Sequence, residues 1–179
     1  MRLMNTNIMW IRKETIVFDP KVRTRCTLPY ENHPQGCPNW DTCALCPPKS
    51  PYRSDILQKY TSFALVYVIF DLKTYLQEQR IKRPQASEKQ LKCCLYWQNS
   101  LKKELKKTLN MIDYDLLLGC GSGFFSSQSM ESAGINVFQT LDNNKIEYEI
   151  HPKTKIILCY LICLNTKHKE LSRYGNSER

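Results

Sequence analysis

The chain alternates short apolar runs with helical stripes of apolar residues. Two short apolar segments, at 7–11 and 15–19, predict strands near the N-terminus. The run SFALVYVIFDL at 62–72 is rich in β-branched and aromatic residues, which is typical of a strand buried on both faces. We therefore expect it to be central in a sheet. Further strands are predicted at 114–120 (YDLLLGC), 145–150 (KIEYEI) and 155–164 (KIILCYLICL).

Helical patterns lie between these runs. KTYLQEQR predicts a short helix that ends before Pro84. Ser87, with Gln90 three positions later, forms a capping-box signature at the start of the clearest helix. Its stripe follows at three-to-four spacing through Leu91, Cys94, Leu95, Gln98, Leu101, Leu105 and Leu109. A further helical segment is predicted from about Met130 to Asn143, and within it Asn136 needs hydrogen bonds if it is buried.

Strands that alternate with helices predict an α/β fold with a mixed, partly parallel sheet and flanking helices. The length of 179 residues and the apolar content of 42% suit a single domain, 1–179. We expect it to comprise a Cys- and Pro-rich loop at 23–53 (the cysteine loop), an α/β core at 60–165 and a basic C-terminal tail at 166–179. The longest apolar run is too short to cross a bilayer and no signal peptide is visible, so we expect a cytoplasmic protein without a membrane partner.

The segment at 26–52 shows neither the alternation of a half-buried strand nor the three-to-four spacing of a helix. It contains four cysteines, one histidine and six of the nine prolines. Because the cytosol keeps thiols reduced, this group of cysteines predicts a metal site rather than disulfides. A metal can replace a missing core, since its binding energy appears as folding energy, roughly 10 kcal/mol or more for structural zinc. The candidate ligands in this loop are Cys26, Cys37, Cys43 and Cys46.

The spacing of these four cysteines leaves two kinds of metal centre open. They are separated by ten, five and two residues, whereas the usual structural zinc site has two close Cys-x-x-Cys knuckles. Four thiolates from one loop still suit tetrahedral zinc, and a 4Fe–4S iron–sulfur cluster tolerates irregular spacing. The remaining cysteines of apolar stretches are predicted to be small buried hydrophobic residues: Cys93, Cys94, Cys159 and Cys163.

The formal net charge of +9 favours an anionic partner such as RNA, DNA or a nucleotide. Many basic proteins bind no nucleic acid, however, and no known recognition motif is present. One group of lysines lies largely off the apolar stripe of the clearest helix and forms either a solvated face or a phosphate-facing surface. These residues are Lys102, Lys103, Lys106 and Lys107.

A glycine-rich stretch, GCGSG at 119–123, follows a predicted buried strand. Backbone N–H groups of such a loop can bind phosphate or carboxylate, although the spacing is not that of G-x-G-x-x-G. A tight chain reversal is the ordinary interpretation. We predict that this loop forms one wall of any active site, because Cys120 lies within it. The candidate cofactor-binding residues are Gly119, Gly121, Ser122 and Gly123.

The motifs HPQGCPNW, CPP, FDL, YWQ and SMESAGINVFQTLDNNKIEYE occur in this order along the chain. Together they resemble an uncharacterised family of cysteine-rich predicted metal-binding proteins of archaea and anaerobic bacteria, over about residues 23–150. The resemblance implies that Cys26, Cys37 and Cys46 are the recurrent ligands, whereas the position of Cys43 varies. Longer relatives carry a second cysteine group before the segment that resembles SMESAGINVF. This chain has only Cys120 there, so we expect one site.

A site of three cysteines leaves one metal position open. Cys120 can fill this position, or a substrate can occupy it, in which case an iron can act as a Lewis acid in an enzyme. With Cys43 or Cys120 as the fourth ligand, the site is closed and is structural or electron-transferring. His33 is a further candidate ligand or proton donor. Glu131 is expected to begin a helix, where its charge suits the helix dipole.

Two functions are consistent with these observations. The first is an iron–sulfur protein with one cluster near the sheet, and possible enzymatic action on a small anionic or nucleotide-like substrate. The second is a zinc-stapled nucleic-acid-binding module with a structural four-cysteine site closed by Cys43. No Ser-His-Asp order, P-loop or zinc-protease motif is present, so common hydrolase and kinase chemistry has no support in the sequence.

Overall fold

The computed structural model describes residues 3–29, 34–119 and 128–165. The strands in these residues form one four-stranded sheet. They are β1 (Met4–Ile11), β2 (Ser62–Asp71), β3 (Leu116–Leu118) and β4 (Lys155–Leu164). Their order across the sheet is β1-β2-β4-β3, so the predicted central position of β2 is confirmed.

Each pair of neighbouring strands in the described chain is antiparallel. The prediction of a partly parallel sheet is therefore wrong, whereas the mixed α/β character is confirmed. The prediction rested on the alternation of strands with helices along the chain. The uninterrupted apolar runs did not argue against it, because parallel strands show such runs when both of their faces are buried. Here an antiparallel sheet is covered on both faces, so the same sequence pattern results.

Helices connect and cover these strands. The α-helices are α1 (Lys21–Thr24), α2 (Ile56–Lys59), α3 (Leu72–Lys82), α4 (Glu88–Leu91), α5 (Gln98–Leu109) and α6 (Val137–Asn143). Short 3-10 turns lie at Lys13–Thr15, Arg25–Thr27 and Cys94–Tyr96. The predicted end of α3 before Pro84 is confirmed.

The two faces of the sheet bury separate apolar clusters, because successive residues of a strand point to opposite faces. Val66 of β2 belongs to the cluster that includes Leu101 and Leu105 of α5. Leu65 belongs to the cluster on the other face, which includes Ile135. The sheet therefore separates α5 from the segment around Ile135.

Two predicted strands are not strands in the structure. Residues 15–19 form the end of a 3-10 turn and an irregular segment, in which Phe18 makes an isolated bridge to Ile135. Residues 145–150 are also irregular. Ile146 is nevertheless buried in a core cluster. Ile16 and Ile146 of these segments are thus buried in the core on one face of the sheet without belonging to a strand.

The helix predicted from Ser87 onward is interrupted. Its capping box is confirmed, but α4 and α5 are separate helices joined by a 3-10 turn. Leu95, predicted to lie on the apolar stripe, is 77% exposed. The interruption places the ring of Trp97 against Phe70 of β2, with the ring centroids 5.4 Å apart. Packing of this large aromatic side chain accounts for the departure from a continuous helix.

The helix predicted to start at Met130 begins only with α6. Asn136 is its N-cap, and its side-chain oxygen accepts a hydrogen bond from the N–H of Gln139 at 3.3 Å. The N–H of Asn136 donates to the carbonyl of Val17 at 2.8 Å. The expectation that a buried Asn136 is hydrogen-bonded is thus confirmed, whereas Glu131 lies in a turn rather than at a helix start.

Cys159 and Cys163 are buried in the core, as predicted. Cys94 is exposed and Cys93 is partly exposed, so the prediction that both are buried is wrong. The basic tail lies outside the described residues. Among those described, no helix combines the length and the apolar character that a membrane span requires.

Candidate metal centre

Two hydrogen-bonded segments bring Cys26 and Cys37 together. Cys26 lies in the 3-10 turn that continues α1. Its carbonyl oxygen accepts a hydrogen bond from the N–H of Cys37 at 2.7 Å. Gly36 has a φ of +82°, and a Cβ at this position would lie 2.5 Å from the carbonyl oxygen of Cys26. Only a glycine therefore permits this close approach of the two backbones.

Successive tight turns carry the chain from Cys37 to Cys46. The N–H of Trp40 donates to the carbonyl of Cys37 at 3.0 Å, and the N–H of Cys46 donates to that of Cys43 at 3.0 Å. The carbonyl of Cys46 in turn accepts from the N–H of Ser50 at 2.9 Å. Backbone hydrogen bonds thus fix a segment that has no regular secondary structure.

Arg23 ties the end of the cysteine loop to α1. Its guanidinium Nη2 donates to the carbonyl of Ser50 at 2.6 Å. Ser50 follows Cys46 by four residues, and Arg23 precedes Cys26 by three. This contact therefore holds the first and last cysteines of the loop near each other.

A second segment, residues 128–134 (the docking segment), packs against the cysteine loop. The hydroxyl of the buried Ser132 lies 3.1 Å from the carbonyl oxygen of Leu45, within hydrogen-bond distance. The side-chain amide of Gln128 donates to the carbonyl of Pro51 at 2.6 Å. The N–H of Arg53 donates to the carbonyl of Ala133 at 2.9 Å.

Gly134 allows the docking segment to approach the loop closely. It has a φ of +97°, and a Cβ there would overlap the ring of Tyr52. The carbonyl of Gly134 accepts from the N–H of Asp19 at 2.8 Å. The docking segment is thus bonded both to the cysteine loop and to the irregular segment before α1.

The charges that act on the thiol of Cys26 show which side chains lie near it. Burial is the largest cause that raises the pKa of the Cys26 thiol above its ordinary value of 9.0. The negative charges of Cys37, Cys46 and Glu131 raise this pKa further. Cys37 and Cys46, the two other cysteines that the family resemblance singled out, therefore lie within electrostatic range of Cys26, together with a carboxylate.

Glu131 lies in the turn of the docking segment and is partly exposed. Removal of its carboxyl group from water raises its pKa above 4.5. Hydrogen bonds from its own backbone N–H and from the side chain of Ser129, and the charge of Arg25, act in the opposite direction. Arg25 precedes Cys26 directly, so a cationic side chain accompanies the group of acidic ones.

No three Cys, His, Asp or Glu side chains are gathered tightly enough to hold a metal ion as they stand, within the part of the chain that the structure describes. This is compatible with the electrostatic contacts, because charges interact over longer distances than the ~2.3 Å of a zinc–sulfur bond. The donor set fits a metal centre chemically. A cation among these groups would replace their mutual repulsion by attraction and would lower the pKa of the Cys26 thiol.

Other predicted site residues divide into two groups. Cys43 lies in the same loop, three residues before Cys46, and is partly exposed. Several predicted residues lie outside the described ranges: His33, Cys120, Gly121, Ser122 and Gly123. Their roles stay predictions.

Gly119 is the described member of the glycine-rich stretch. Its N–H donates to the carbonyl of Gln128 at 3.0 Å, and its carbonyl accepts from the N–H of Met130 at 2.9 Å. A Cβ at this position would overlap the ring of Tyr160. Gly119 thus joins the end of β3 to the docking segment by two backbone hydrogen bonds, and its lack of a side chain leaves room for the ring of Tyr160. Its N–H donates to a carbonyl of the protein itself.

The candidate nucleic-acid-binding lysines lie on α5, on the sheet face opposite to the docking segment. Lys103, Lys106 and Lys107 are exposed and Lys102 is partly exposed. Lys107 forms an ion pair with Glu104 at 3.2 Å. The sheet therefore separates this basic surface from the cysteine loop.

A family model described as "Predicted metal-binding protein (DUF2284)" matches residues 9–164. The chain belongs to this family. The match includes the cysteine loop and the docking segment, and it confirms the resemblance drawn from the sequence motifs. No curated protein and no solved structure gave a significant match. Membership in this predicted metal-binding family specifies neither the metal nor a reaction.

The structure adds three residues to the candidate site that the sequence did not single out for it: Arg25, Glu131 and Ser132. Glu131 and Ser132 belong to the SMESAGINVF motif, which supported the family resemblance without indicating a role. Their distance from the cysteines along the chain concealed their proximity. Contacts between distant segments bring the motif to the loop: the Ser132 hydroxyl lies against the carbonyl of Leu45, and the carbonyl of Ala133 accepts a hydrogen bond from the N–H of Arg53.

Proposed function

We propose that the protein carries one metal centre on Cys26, Cys37 and Cys46, and that this centre is an iron–sulfur cluster. The observation that supports the proposal is the closed form of the cysteine loop: the N–H of Cys37 donates to the carbonyl of Cys26 at 2.7 Å, and Arg23 bonds the end of the loop at 2.6 Å. Hydrogen bonds of the backbone and of the Arg23 side chain thus hold residues separated by up to twenty positions near one another. Such ordering of a loop without a hydrophobic core is what a bound metal stabilises.

An iron–sulfur cluster accounts for this ligand set better than structural zinc. Structural zinc sites commonly use pairs of ligands in close knuckles, whereas Cys26 and Cys37 come from different turns. Three thiolates on a cluster leave one iron open to a further ligand. When bound, such a cluster supplies either electron transfer or a Lewis-acidic iron. The second role suits a small anionic or nucleotide-like substrate, for which basic residues provide attraction.

Metal analysis of anaerobically purified protein tests this proposal. Iron and acid-labile sulfide in equal amounts, with broad visible absorption, are the expected result. Cys26→Ser, Cys37→Ser and Cys46→Ser should each lose most of the iron. Cys94→Ser is the matched control, because Cys94 is exposed and lies outside the cysteine loop. A colourless protein with one zinc, or iron content that is equal in all four variants, would overturn it.

The zinc-stapled nucleic-acid module is a separate proposal with its own requirements. It needs Cys43 as fourth ligand and phosphate contacts from the lysines of α5. Because the sheet lies between α5 and the cysteine loop, a metal in the loop cannot position those lysines directly. The iron–sulfur proposal therefore has the stronger support.

A further inference from the structure

The end of β1 and the start of β2 line a surface cleft of about 650 Å³. Ile11, the last residue of β1, pairs with Phe63 of β2, so the segments beyond this pair lie side by side. Residues 10–14 form one wall of the cleft, and residues 57–63 form the other. The volume lies within the range of about 300–1,000 Å³ that is typical of sites for small ligands.

Backbone hydrogen bonds fix both walls of this cleft. The N–H of Thr15 donates to the carbonyl of Arg12 at 3.0 Å, which closes the 3-10 turn after β1. On the other wall, the N–H of Thr61 donates to the carbonyl of Leu164 in β4 at 2.9 Å. The cleft is therefore formed by the fold itself, as sites for small molecules usually are.

Trp10 presents an exposed aromatic ring at the cleft. Ile11 is buried in a core cluster, and Trp10 points the other way, because successive residues of a strand point to opposite faces. Trp10 is 44% exposed, whereas Trp40 and Trp97 are both partly buried. The flat face of such a ring can stack on a nucleobase, and this contact is favourable for every base.

Two cationic side chains line the same cleft. Arg12 and Lys13 are exposed, and neither forms an ion pair with another residue in the described part of the chain. A guanidinium group can bind two phosphate oxygens at once, and an ammonium group binds phosphate as a point charge. Glu14 also lines the cleft, and its charge offsets that of one cation. Positive charge therefore remains beside the exposed ring.

We propose that this cleft binds a nucleoside phosphate, whose base stacks on Trp10 and whose phosphates are bound by Arg12 and Lys13. Such a ligand has a flat aromatic base at one end and negative charge at the other, which matches the two kinds of side chain in the cleft. The side-chain amide of Gln58, on the facing wall, supplies a donor and an acceptor for the base or the ribose. No lining residue belongs to the cysteine loop, so this site does not depend on the proposed metal centre.

Isothermal titration calorimetry of the full chain with ATP, without Mg²⁺, tests the stacking contact. Trp10→Ala should weaken ATP binding by about 5- to 150-fold, the range for loss of one base–aromatic stack. The same variant should bind inorganic tripolyphosphate as wild type does, because tripolyphosphate has no base. Trp10→Phe keeps an aromatic ring and should stay closer to wild type. Tyr114→Ala is the matched control, since Tyr114 is exposed before β3, at the other edge of the sheet.

Neutral variants of the charged residues test the phosphate contacts. Arg12→Gln and Lys13→Gln should each weaken the binding of both ATP and tripolyphosphate by about 10-fold, the effect of losing one hydrogen bond to a charged group. Glu14→Gln should bind ATP at least as tightly as wild type, because it removes a repelling charge. Lys153→Gln is the control, since Lys153 is exposed before β4, at the opposite end of the sheet from the cleft.

Several outcomes would overturn the assignment of this cleft. They are the absence of ATP binding, an ATP affinity that is unchanged in Trp10→Ala, and equal losses of affinity in Glu14→Gln and Arg12→Gln. A single-stranded oligonucleotide that binds through Arg12 and Lys13 when ATP does not bind would overturn it in favour of a nucleic-acid surface.

A measurement on wild-type protein covers the case in which Trp10→Ala does not fold. The full chain is irradiated with 8-azido-ATP, and the labelled residues are located by mass spectrometry. Label is expected within residues 10–14 or 57–63, and label confined to other segments would overturn the proposal. Neither result bears on the metal centre, because its own test measures iron content.

Discussion

Gly36 lies directly against the backbone of Cys26. A Cβ at position 36 would come within 2.5 Å of the Cys26 carbonyl oxygen and within 3.0 Å of Cα of Thr27. Gly36 directly precedes Cys37, whose N–H donates a hydrogen bond to the same carbonyl oxygen. One residue without a side chain therefore determines whether two of the proposed ligands can meet.

Replacement of Gly36 by Ala should separate these two ligands. The positive φ alone costs roughly 1–2 kcal/mol in a residue with a Cβ, and the contact with rigid backbone atoms adds to it. We expect the metal content of Gly36→Ala to fall at least as far as that of Cys37→Ser, measured by iron analysis.

Asp41→Gly is the control for this change, because Asp41 also has a positive φ, of 53°, in the same loop. Glycine relieves backbone strain there, so the variant should retain its metal. Full metal content in Gly36→Ala would contradict the importance of the Gly36 contact.

Ser132 is expected to hold the docking segment on the cysteine loop. Its side chain is 2% exposed and lies within hydrogen-bond distance of the Leu45 carbonyl. Ser132→Ala removes this buried hydroxyl and leaves the carbonyl of the partly buried Leu45 with one partner fewer. We expect the free energy of unfolding to fall by about 1–3 kcal/mol, measured by urea denaturation, and the metal to be lost faster to a chelator.

Thr42→Ala provides the comparison for Ser132→Ala. The Thr42 hydroxyl donates to the carbonyl of Pro38 at 2.9 Å, but this bond is exposed. Its removal should change the free energy of unfolding by no more than about 0.5 kcal/mol. Equal effects of the two substitutions would show that the contact of Ser132 contributes nothing beyond an ordinary surface bond.

The elements with the most distinct patterns were predictable from sequence. β2 and β4 have long β-branched and aromatic runs, and both occupy the centre of the sheet. The capping box at Ser87 appears as predicted. In each case local propensity and tertiary packing favour the same structure. Strand direction was not predictable, since burial on both faces gives parallel and antiparallel strands the same apolar pattern.

Residues whose role depends on long-range contacts were less predictable. The grouping of four cysteines in one loop predicted a metal site, because candidate ligands within one loop are local in sequence; they are Cys26, Cys37, Cys43 and Cys46. Glu131 gave no such indication, since its approach to the loop depends on backbone bonds between distant segments. Leu95 shows the converse, because helical spacing placed it in the core and the packing of Trp97 on Phe70 left it exposed.

The basic surface of α5 should be independent of the metal centre. Reversal of charge in Lys103→Glu/Lys106→Glu is expected to leave metal content and spectrum unchanged, because the sheet separates α5 from the cysteine loop. Loss of metal from this variant would contradict that separation. The charge-conserving variant Lys103→Arg/Lys106→Arg is the control for folding.

The same proteins test the phosphate-facing role of these lysines. Binding to duplex DNA through α5 should weaken in the charge-reversed variant, and the slope of log affinity against log salt should become shallower by about 0.9 for each phosphate that is no longer neutralised. Fluorescence anisotropy over a salt series measures both quantities. Equal affinities of wild type and variant at every salt concentration would exclude α5 as a phosphate-binding surface.

Cys163 should make the stability of the fold depend on pH in the alkaline range. It is fully buried in β4, and burial raises the pKa of its thiol from 9.0 to about 12, against a smaller opposing effect of Arg53. Between these values the unfolded chain releases the proton while the native protein retains it. The stabilisation is therefore complete below pH 9 and is lost as the pH rises towards 12, by roughly 1.4 kcal/mol per pH unit.

Cys163→Ala isolates this dependence, because every other titrating group is shared with wild type. Urea denaturation from pH 8 to pH 10.5 should show wild type losing its advantage over the variant as the pH rises, since alanine has no proton to release. At neutral pH the variant should be the less stable protein, because it leaves a small cavity beside β2 and β3. Parallel stability curves for the two proteins across this range would mean that Cys163 ionises in the native protein as readily as in the unfolded chain, and would contradict its burial in the sheet.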